Sequence, residues 1–217
     1  MKVTNLSFQH HKKAPYFFKD LSFHLQEGHL HALHGKNGVG KSVLLHILSK
    51  KIEKDAVISG EISVDKVALV DQRFDQTIAD RFTFLENVQF GSLGYFPSPF
   101  SRLRTSRKNV LSQKLLSLLE QFHINLSIPA HKLSGGQRQI LSLVMQLQRE
   151  AKIFLLDEPT ATCDEENAVM VFDFLQALQG VTLLVVCHDQ ALISRYTTGK
   201  HLHMHMNSQG LREISIT

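Results

Sequence analysis

Cysteine is scarce in this chain, and no apolar run approaches membrane-spanning length. Two thiols, Cys163 and Cys187, in 217 residues cannot build a disulfide framework, which fits a reducing compartment. No uncharged stretch reaches the ~18 residues of a transmembrane helix, and Met1-Lys2-Val3-Thr4-Asn5 carries no signal-peptide core. Excess charge is also small. With 24 Lys and Arg against 20 Asp and Glu, the net charge is +4, which argues for neither nucleic acid nor a membrane surface as partner. Internal repeats, low-complexity tracts and coiled-coil heptads are absent. What remains, at 43% hydrophobic and 20% charged residues, is the composition of a soluble globular protein. A chain this long buries about 70% of its unfolded surface without help from metals or disulfides.

One stretch does carry a strong signal: Gly35-Lys36-Asn37-Gly38-Val39-Gly40-Lys41-Ser42. It fits G-x-x-x-x-G-K-[ST], in which glycines free backbone N–H groups to wrap an anion, the lysine reaches the β- and γ-phosphates, and the hydroxyl holds Mg²⁺. Gly35, Asn37, Gly38, Gly40, Lys41, Ser42 and Val43 are the candidate phosphate contacts. A glycine turn would match by chance, but the flanks favour the phosphate loop. An apolar strand, Leu30 to Leu33, leads in, and an amphipathic helix through Val43, Leu44, Leu45, Ile47 and Leu48 leads out. That helix would aim its positive N-terminal dipole at the phosphates.

Strand signals surround this loop. Val3, Leu6 and Phe8 suggest a first strand, and Leu21, Phe23 and Leu25 alternate with polar residues as a half-buried strand does. Glu61 to Asp65 and Lys66 to Val70 predict two more, ending at Asp71-Gln72. Between 73 and 150 the β signal fades, and two helical stripes take over. One runs from Val110 to Phe122, the other through Ile140, Leu141, Leu143, Val144 and Leu147. They predict a mostly helical insertion within an α/β chain. Ile153 to Asp157 and Val181 to Val186 then read as strands buried on both faces. A helix from Glu165 to Leu178 lies between them, a short helix from Gln190 to Arg195 follows, and a hairpin turning at Ser208-Gln209-Gly210 closes the chain.

Two further groups bear on chemistry. Asp157-Glu158 ends an apolar strand, and in open α/β sheets ligands sit beyond the carboxyl ends of the strands. The first carboxylate would bind Mg²⁺ and the second would polarise an attacking water. A simple helix-start preference for acids is the alternative. Leu133-Ser134-Gly135-Gly136-Gln137 is a second anion site in outline: a serine cap, two glycines and a helix dipole behind them. Two such sites in one chain imply a second nucleotide, most simply one held by another copy of the protein.

With these residues assembled, the chain resembles the nucleotide-binding subunits of ATP-binding cassette (ABC) transporters along essentially its whole length. Leu133 to Gln137 matches the family signature letter for letter, and Ile153 to Asp157 with Glu158-Pro159-Thr160 matches the second nucleotide motif. Gln72, His188 and Asp164 fall at the family's lone glutamine, its switch histidine and the aspartate that crosses the dimer interface. The resemblance implies a P-loop NTPase core, a mixed sheet flanked by helices with an N-terminal antiparallel β part. The core would comprise 1–72 and 151–217, with a helical subdomain inserted at 73–150, in one nucleotide-binding domain. It implies ATP and Mg²⁺, and a head-to-tail homodimer with two ATP at the interface. Lys41 would hold phosphates, while Ser42, Gln72 and Asp157 would arrange Mg²⁺. Glu158 would be the general base and His188 would bridge to the γ-phosphate. Ser134, Gly135, Gly136, Gln137 and Asp164 would close over the ATP of the opposite subunit.

Several positions depart from the family pattern. The adenine-stacking position falls at His10 or His11, with Tyr16 close behind, and Lys36 stands where proline is common. Cys163 and Cys187 would be inert packing or redox sensors. His201, His203 and His205 would bind a metal or form the solvated face of an edge strand, with Met204 and Met206 packed. The expected function is the ATPase subunit of a transporter, cytoplasmic and peripheral at the inner membrane face, its permease on a separate chain. The helix after the signature has the flavour of importers of small organic nutrients. Phe74, Phe82, Phe84 and the loop Tyr95–Lys108 would dock the permease or form the insertion's own core. A soluble ABC ATPase with a non-transport role, such as an assembly scaffold, is the alternative.

Overall fold

The computed structural model describes residues 1–64, 66–70, 78–91, 111–148, 151–178 and 180–217. Gln72, Phe74 and the loop Tyr95–Lys108 lie outside the described residues. In chain order the elements are β1 (Lys2–Gln9), β2 (Phe18–His24), β3 (Leu30–His34), α1 (Lys41–Leu48), β4 (Val57–Ser63) and β5 (Val67–Val70). Next come α2 (Phe84–Gly91), α3 (Gln113–Gln121), a short 3₁₀ turn (Ala130–Lys132) and α4 (Gly135–Leu147). The chain continues through β6 (Ile153–Asp157), α5 (Glu165–Ala177), β7 (Thr182–Val186), α6 (Gln190–Tyr196), β8 (His201–Met206) and β9 (Arg212–Ile216).

Among the described residues the strands form one mixed, 9-stranded sheet in the order β4-β1-β2-β9-β8-β3-β7-β6-β5. Residue chemistry separates its two halves. β3 and β7 are buried along their whole length and pair in parallel with each other and with β8 and β6 respectively, as strands covered on both faces must. β1 pairs antiparallel with β2 and β4, and β2 alternates buried Leu21 and Phe23 with exposed Ser22 and His24. The α/β class with its N-terminal antiparallel part is therefore as expected. Leu44, Leu45, Ile47 and Leu48 of α1 share a core with Leu33, Leu155, Leu184 and Val186 of the parallel strands. Each such buried aliphatic side chain is worth roughly 1.5–3 kcal/mol.

The chain forms two compact units, Met1–Leu69 with Ala151–Glu158 and Gln179–Thr217, and Val70–Glu150 with Pro159–Leu178. The sheet and α1 belong to the first. Within the second, α4 packs on α2 and α5: Ile140, Leu141 and Val144 are fully buried, as are Phe84, Val88, Val171 and Phe172. Phe122 meets Phe174 edge-on at 5.6 Å. α2 is an element the two predicted stripes do not include. It starts at a capping box in which the Thr83 N–H donates to Glu86 Oε2 (2.7 Å) and the Glu86 N–H donates to Thr83 Oγ1 (3.2 Å).

Of the two readings offered for the aromatics of the insertion, Phe84 follows the second: it is a core residue of its own unit, whereas Phe82 is 43% exposed. The edge-strand reading of the histidine strand is corrected. β8 is not an edge strand, since β3 and β9 flank it. Leu202 and Met204 are its packed residues, while Met206 is 60% exposed. β8 and β9 do form the predicted hairpin, with Asn207 Oδ1 accepting the N–H groups of Gln209 and Leu211.

Candidate functional site

The phosphate loop leaves β3 through Gly35, where backbone crowding leaves no room for a side chain. A Cβ there would lie 2.6 Å from the Met204 carbonyl oxygen. Gly40 has φ +114, and a Cβ on it would strike the Phe17 ring at 2.6 Å. Left-handed backbone and an aromatic wall thus both require glycine at 40. Lys41 opens α1 and is 8% exposed; its Nζ donates to the carbonyls of Gly35 (2.8 Å) and Lys36 (3.2 Å). The ammonium is therefore folded back over the loop and held by neutral acceptors.

The start of α1 differs from those of the other capped helices. Ser112, Ser134, Asp164 and Asp189 each cap their helix with a side-chain oxygen, whereas Gly40 gives α1 no side-chain cap. Orphan N–H groups of a first turn need acceptors, and a triphosphate supplies them. The loop fits an anionic phosphate chain on this ground. For Mg²⁺, the exposed Ser42 hydroxyl and the Asp157 carboxylate are hard oxygen donors of the right kind.

Asp157 and Val186 are register partners on β6 and β7, so the residues following them emerge side by side. The Glu158 N–H donates to the Val186 carbonyl at 3.0 Å. Its carboxylate Oε1 meets His188 Nε2 at 2.5 Å. Glu158 holds φ +54, a left-handed conformation that costs a non-glycine residue about 1–3 kcal/mol. Because β3 neighbours β7 and β7 neighbours β6, the phosphate loop, His188 and Glu158 all leave the carboxyl ends of three adjacent parallel strands.

In the second unit, Ser134 caps α4 with a full capping box: its Oγ accepts the Gln137 N–H, and Gln137 Oε1 accepts the Ser134 N–H, both at 3.2 Å. Ser134 Oγ also donates to Asn167 Oδ1 (3.2 Å), and the Gly136 N–H donates to the same oxygen (2.9 Å). Asp164 caps α5 and accepts from the backbone and side chain of Asn167. Asn167 is not among the predicted site residues. Its signal was the Asp-x-x-Asn spacing of an N-cap and its third helical residue.

The remaining candidates sort by their neighbours. The His10 ring packs edge-on against Phe8 and Phe17 at 5.0 and 5.1 Å, and Phe17 is the ring that touches Gly40. Tyr16 is exposed beneath Lys19 Nζ, 5.9 Å away. Burial, and after it the neighbouring Asp164 carboxylate, push the Cys163 thiol up, which disfavours a reactive thiolate. Cys187 is buried. His201 and His203 both stack on His34, at 5.1 and 4.7 Å. No trio of His, Cys, Asp or Glu converges as a metal site among the described residues.

A family profile described as ABC transporter matches residues 18–161. The chain is 30% identical over 206 residues to the putative HMP/thiamine import ATP-binding protein YkoD of Bacillus subtilis, covering 90% of this chain and 36% of the relative. It is 28% identical over 191 residues to the ribose import ATP-binding protein RbsA of Bacillus cereus, covering 78% and 36%. The chain thus spans 36% of the length of these curated relatives. Among solved structures, cbiO1 from Clostridium perfringens, part of the ABC transporter complex cbiONQ, is similar with TM-score 0.73 at 21% identity, over 99% of this chain and 86% of that one. A dimeric, post-hydrolysis ATP-binding cassette bound to ADP and Pi is similar with TM-score 0.65 at 21% identity, over 100% and 97%. At these identities the structural likeness is one of fold. No described helix is long and apolar enough to cross a membrane.

Proposed function

Since the chain belongs to the ABC transporter family, as an ATP-binding cassette ATPase, we propose that it powers import through a separate transmembrane permease by ATP-driven closure of a homodimer. The observation that carries this is the contact of Glu158 with His188 beside the phosphate loop, on adjacent strand ends. An anion cradle, a carboxylate base and a histidine leaving three adjacent strand ends are the parts that hydrolysis of a phosphoanhydride requires.

Lys41 exchanges its loop carbonyls for β- and γ-phosphate oxygens, a stronger charge-assisted bond. The first-turn N–H groups of α1, with Gly35, Asn37, Gly38, Gly40 and Val43, line the phosphates, and the His10 ring beside Phe17 serves the adenine. Ser42, Asp157 and Gln72 would hold Mg²⁺, which when bound neutralises charge on the phosphate oxygens. Glu158 accepts a proton from the attacking water, while His188 orients the carboxylate and reaches the γ-phosphate. In a head-to-tail dimer, Ser134, Gly135, Gly136, Gln137 and Asp164 of one protomer close over the ATP of the other. Core 1–72 and 151–217 then acts as the catalytic part, with 73–150 as the helical subdomain facing the permease at the cytoplasmic face of the membrane. The exposed rings of Phe82 and Phe90 suit such a contact. The importer names of the relatives support the direction of transport.

Glu158→Gln keeps shape and removes the base, so this variant in ATP and Mg²⁺ is expected to elute as a dimer. Expressed with its permease, it is expected to sediment with membranes. A strictly monomeric elution would sink the sandwich, and recovery wholly in the soluble fraction with no membrane partner would overturn the transport role.

A further inference from the structure

We propose that Asn167 is a latch on the signature motif: its side-chain carbonyl occupies the donors of Ser134 and Gly136 in the separate protomer, and must leave before they can meet a partner's nucleotide. This rests on the composite-site reading above. Asn167 Oδ1 takes both donors at once, the Gly136 N–H at 2.9 Å and the Ser134 hydroxyl at 3.2 Å. One oxygen receiving two convergent donors imitates a phosphate oxygen without its charge.

The amide is held in this sense by Asp164. Asn167 Nδ2 donates to Asp164 Oδ1 and Oδ2 at 2.8 and 2.9 Å, and the Asn167 N–H donates to Asp164 Oδ1 at 2.8 Å. A flipped amide would set its NH₂ against the Gly136 N–H and its carbonyl against a carboxylate, so only one orientation satisfies the network. Gly136 is matched to this contact. Its φ is not among the positive values, so glycine is not needed there for backbone freedom. A Cβ at 136 would instead lie 2.6 Å from Asn167 Oδ1. Glycine at this position makes room for the asparagine oxygen.

The consequence is a difference between the two anion sites of the chain. The start of α1 has no side-chain cap, whereas the start of α4 is satisfied internally by Ser134, Gln137 and Asn167. Phosphate bonds to these donors are charge-assisted and roughly twice as strong as neutral ones, so a triphosphate displaces the amide once it arrives. Asp164 couples release to assembly: when its carboxylate turns toward a partner protomer, it surrenders Nδ2 and the latch loses its anchor. Asn167 is thus a positioning residue that tunes how much ATP is needed to close the dimer.

The test uses the full chain carrying Glu158→Gln, with the dimer fraction followed by light scattering against ATP at fixed Mg²⁺. Adding Asn167→Ala is expected to lower the ATP concentration at half-dimerisation by roughly five- to a hundredfold, the worth of the two lost neutral hydrogen bonds. Fluorescent-nucleotide affinity of the monomer should stay unchanged. A half-point that is unchanged or raised overturns the latch, because a purely structural role would weaken the signature. Absence of any dimer in Glu158→Gln alone sinks the composite site, and the latch with it. If Asn167→Ala fails to fold, ¹⁵N spectra of Glu158→Gln decide the question. The Asn167 side-chain amide should be protected from exchange without ATP and lose protection in the ATP-bound dimer. Equal protection in both states overturns the proposal.

Discussion

Lys41 illustrates how much a single side chain does before any nucleotide arrives. Its ammonium is buried against the Gly35 and Lys36 carbonyls, and on the proposed reading phosphate oxygens replace these neutral acceptors. Lys41→Ala is expected to weaken ATP binding about ten- to a hundredfold, the value of one hydrogen bond to a charged group. A fluorescent-nucleotide titration checks this, and unchanged affinity refutes the role of the loop. Lys41 was legible in the sequence because its spacing from the loop glycines is a local pattern. Glu158 was legible too, but its left-handed backbone and its contact with His188 were not. That contact joins two strand ends far apart in the chain, and only the β6–β7 register brings them together.

At the scale of elements, α4 shows both the strength and the limit of pattern. Its apolar stripe predicted a helix, and Ser134 marked the cap. The stripe does not explain why Ser142, fully buried on the same helix, has an Oγ that finds no partner among the described residues. A buried hydroxyl left unmatched costs about 1–3 kcal/mol, and alanine is the better helix former. Ser142→Ala is therefore expected to raise the urea midpoint, corresponding to roughly 0.5–1 kcal/mol. A lowered midpoint would show that the hydroxyl has a partner. α2 escaped the sequence reading for a physical reason. At eight residues (Phe84–Gly91) it offers barely two turns of periodicity, and Thr83 and Glu86 fix its start by capping chemistry instead. β8 escaped differently: alternation tells which face of a strand is packed but not which strands flank it.

Across the whole molecule, buried imidazoles set a pH dependence. His31 Nε2 bonds to the Gln26 carbonyl at 2.9 Å, and its Nδ1 accepts the Lys200 N–H at 2.8 Å. Protonating Nδ1 would set two N–H groups against each other. Burial first, then the nearby positive charge of His29, Lys200 and the N-terminus, hold the His31 pKa below 6.5, outweighing the Gln26 bond. His34 lies between Gln190 Oε1 (2.7 Å) and His201 Nδ1 (2.8 Å). Burial, with His203 and His201 beside it, likewise lowers its pKa against the opposing pull of Gln190. For both, the unfolded chain binds protons more readily than the fold does. Their stabilising effect is complete above pH 6.5 and is lost as pH falls through the lower folded values. The urea midpoint should decline on acidification below pH 6.5, and the decline should shrink in His31→Gln; a flat profile would contradict the linkage.

The phosphate loop between Gly35 and Ser42 was a property of the sequence alone, because its chemistry depends on residues a few positions apart whose spacing survives any packing. The same holds for the serine cap of the signature and for the strands whose unbroken apolar runs demand cover on both faces. Tertiary structure decided what no local pattern holds: that Glu158 meets His188, that His201 and His203 stack on His34 within the sheet, and that Asn167 reaches the Ser134 and Gly136 donors. Each of these joins side chains from separate elements, and their meeting depends on strand order, register and helix packing, which the pattern of neighbouring residues does not encode.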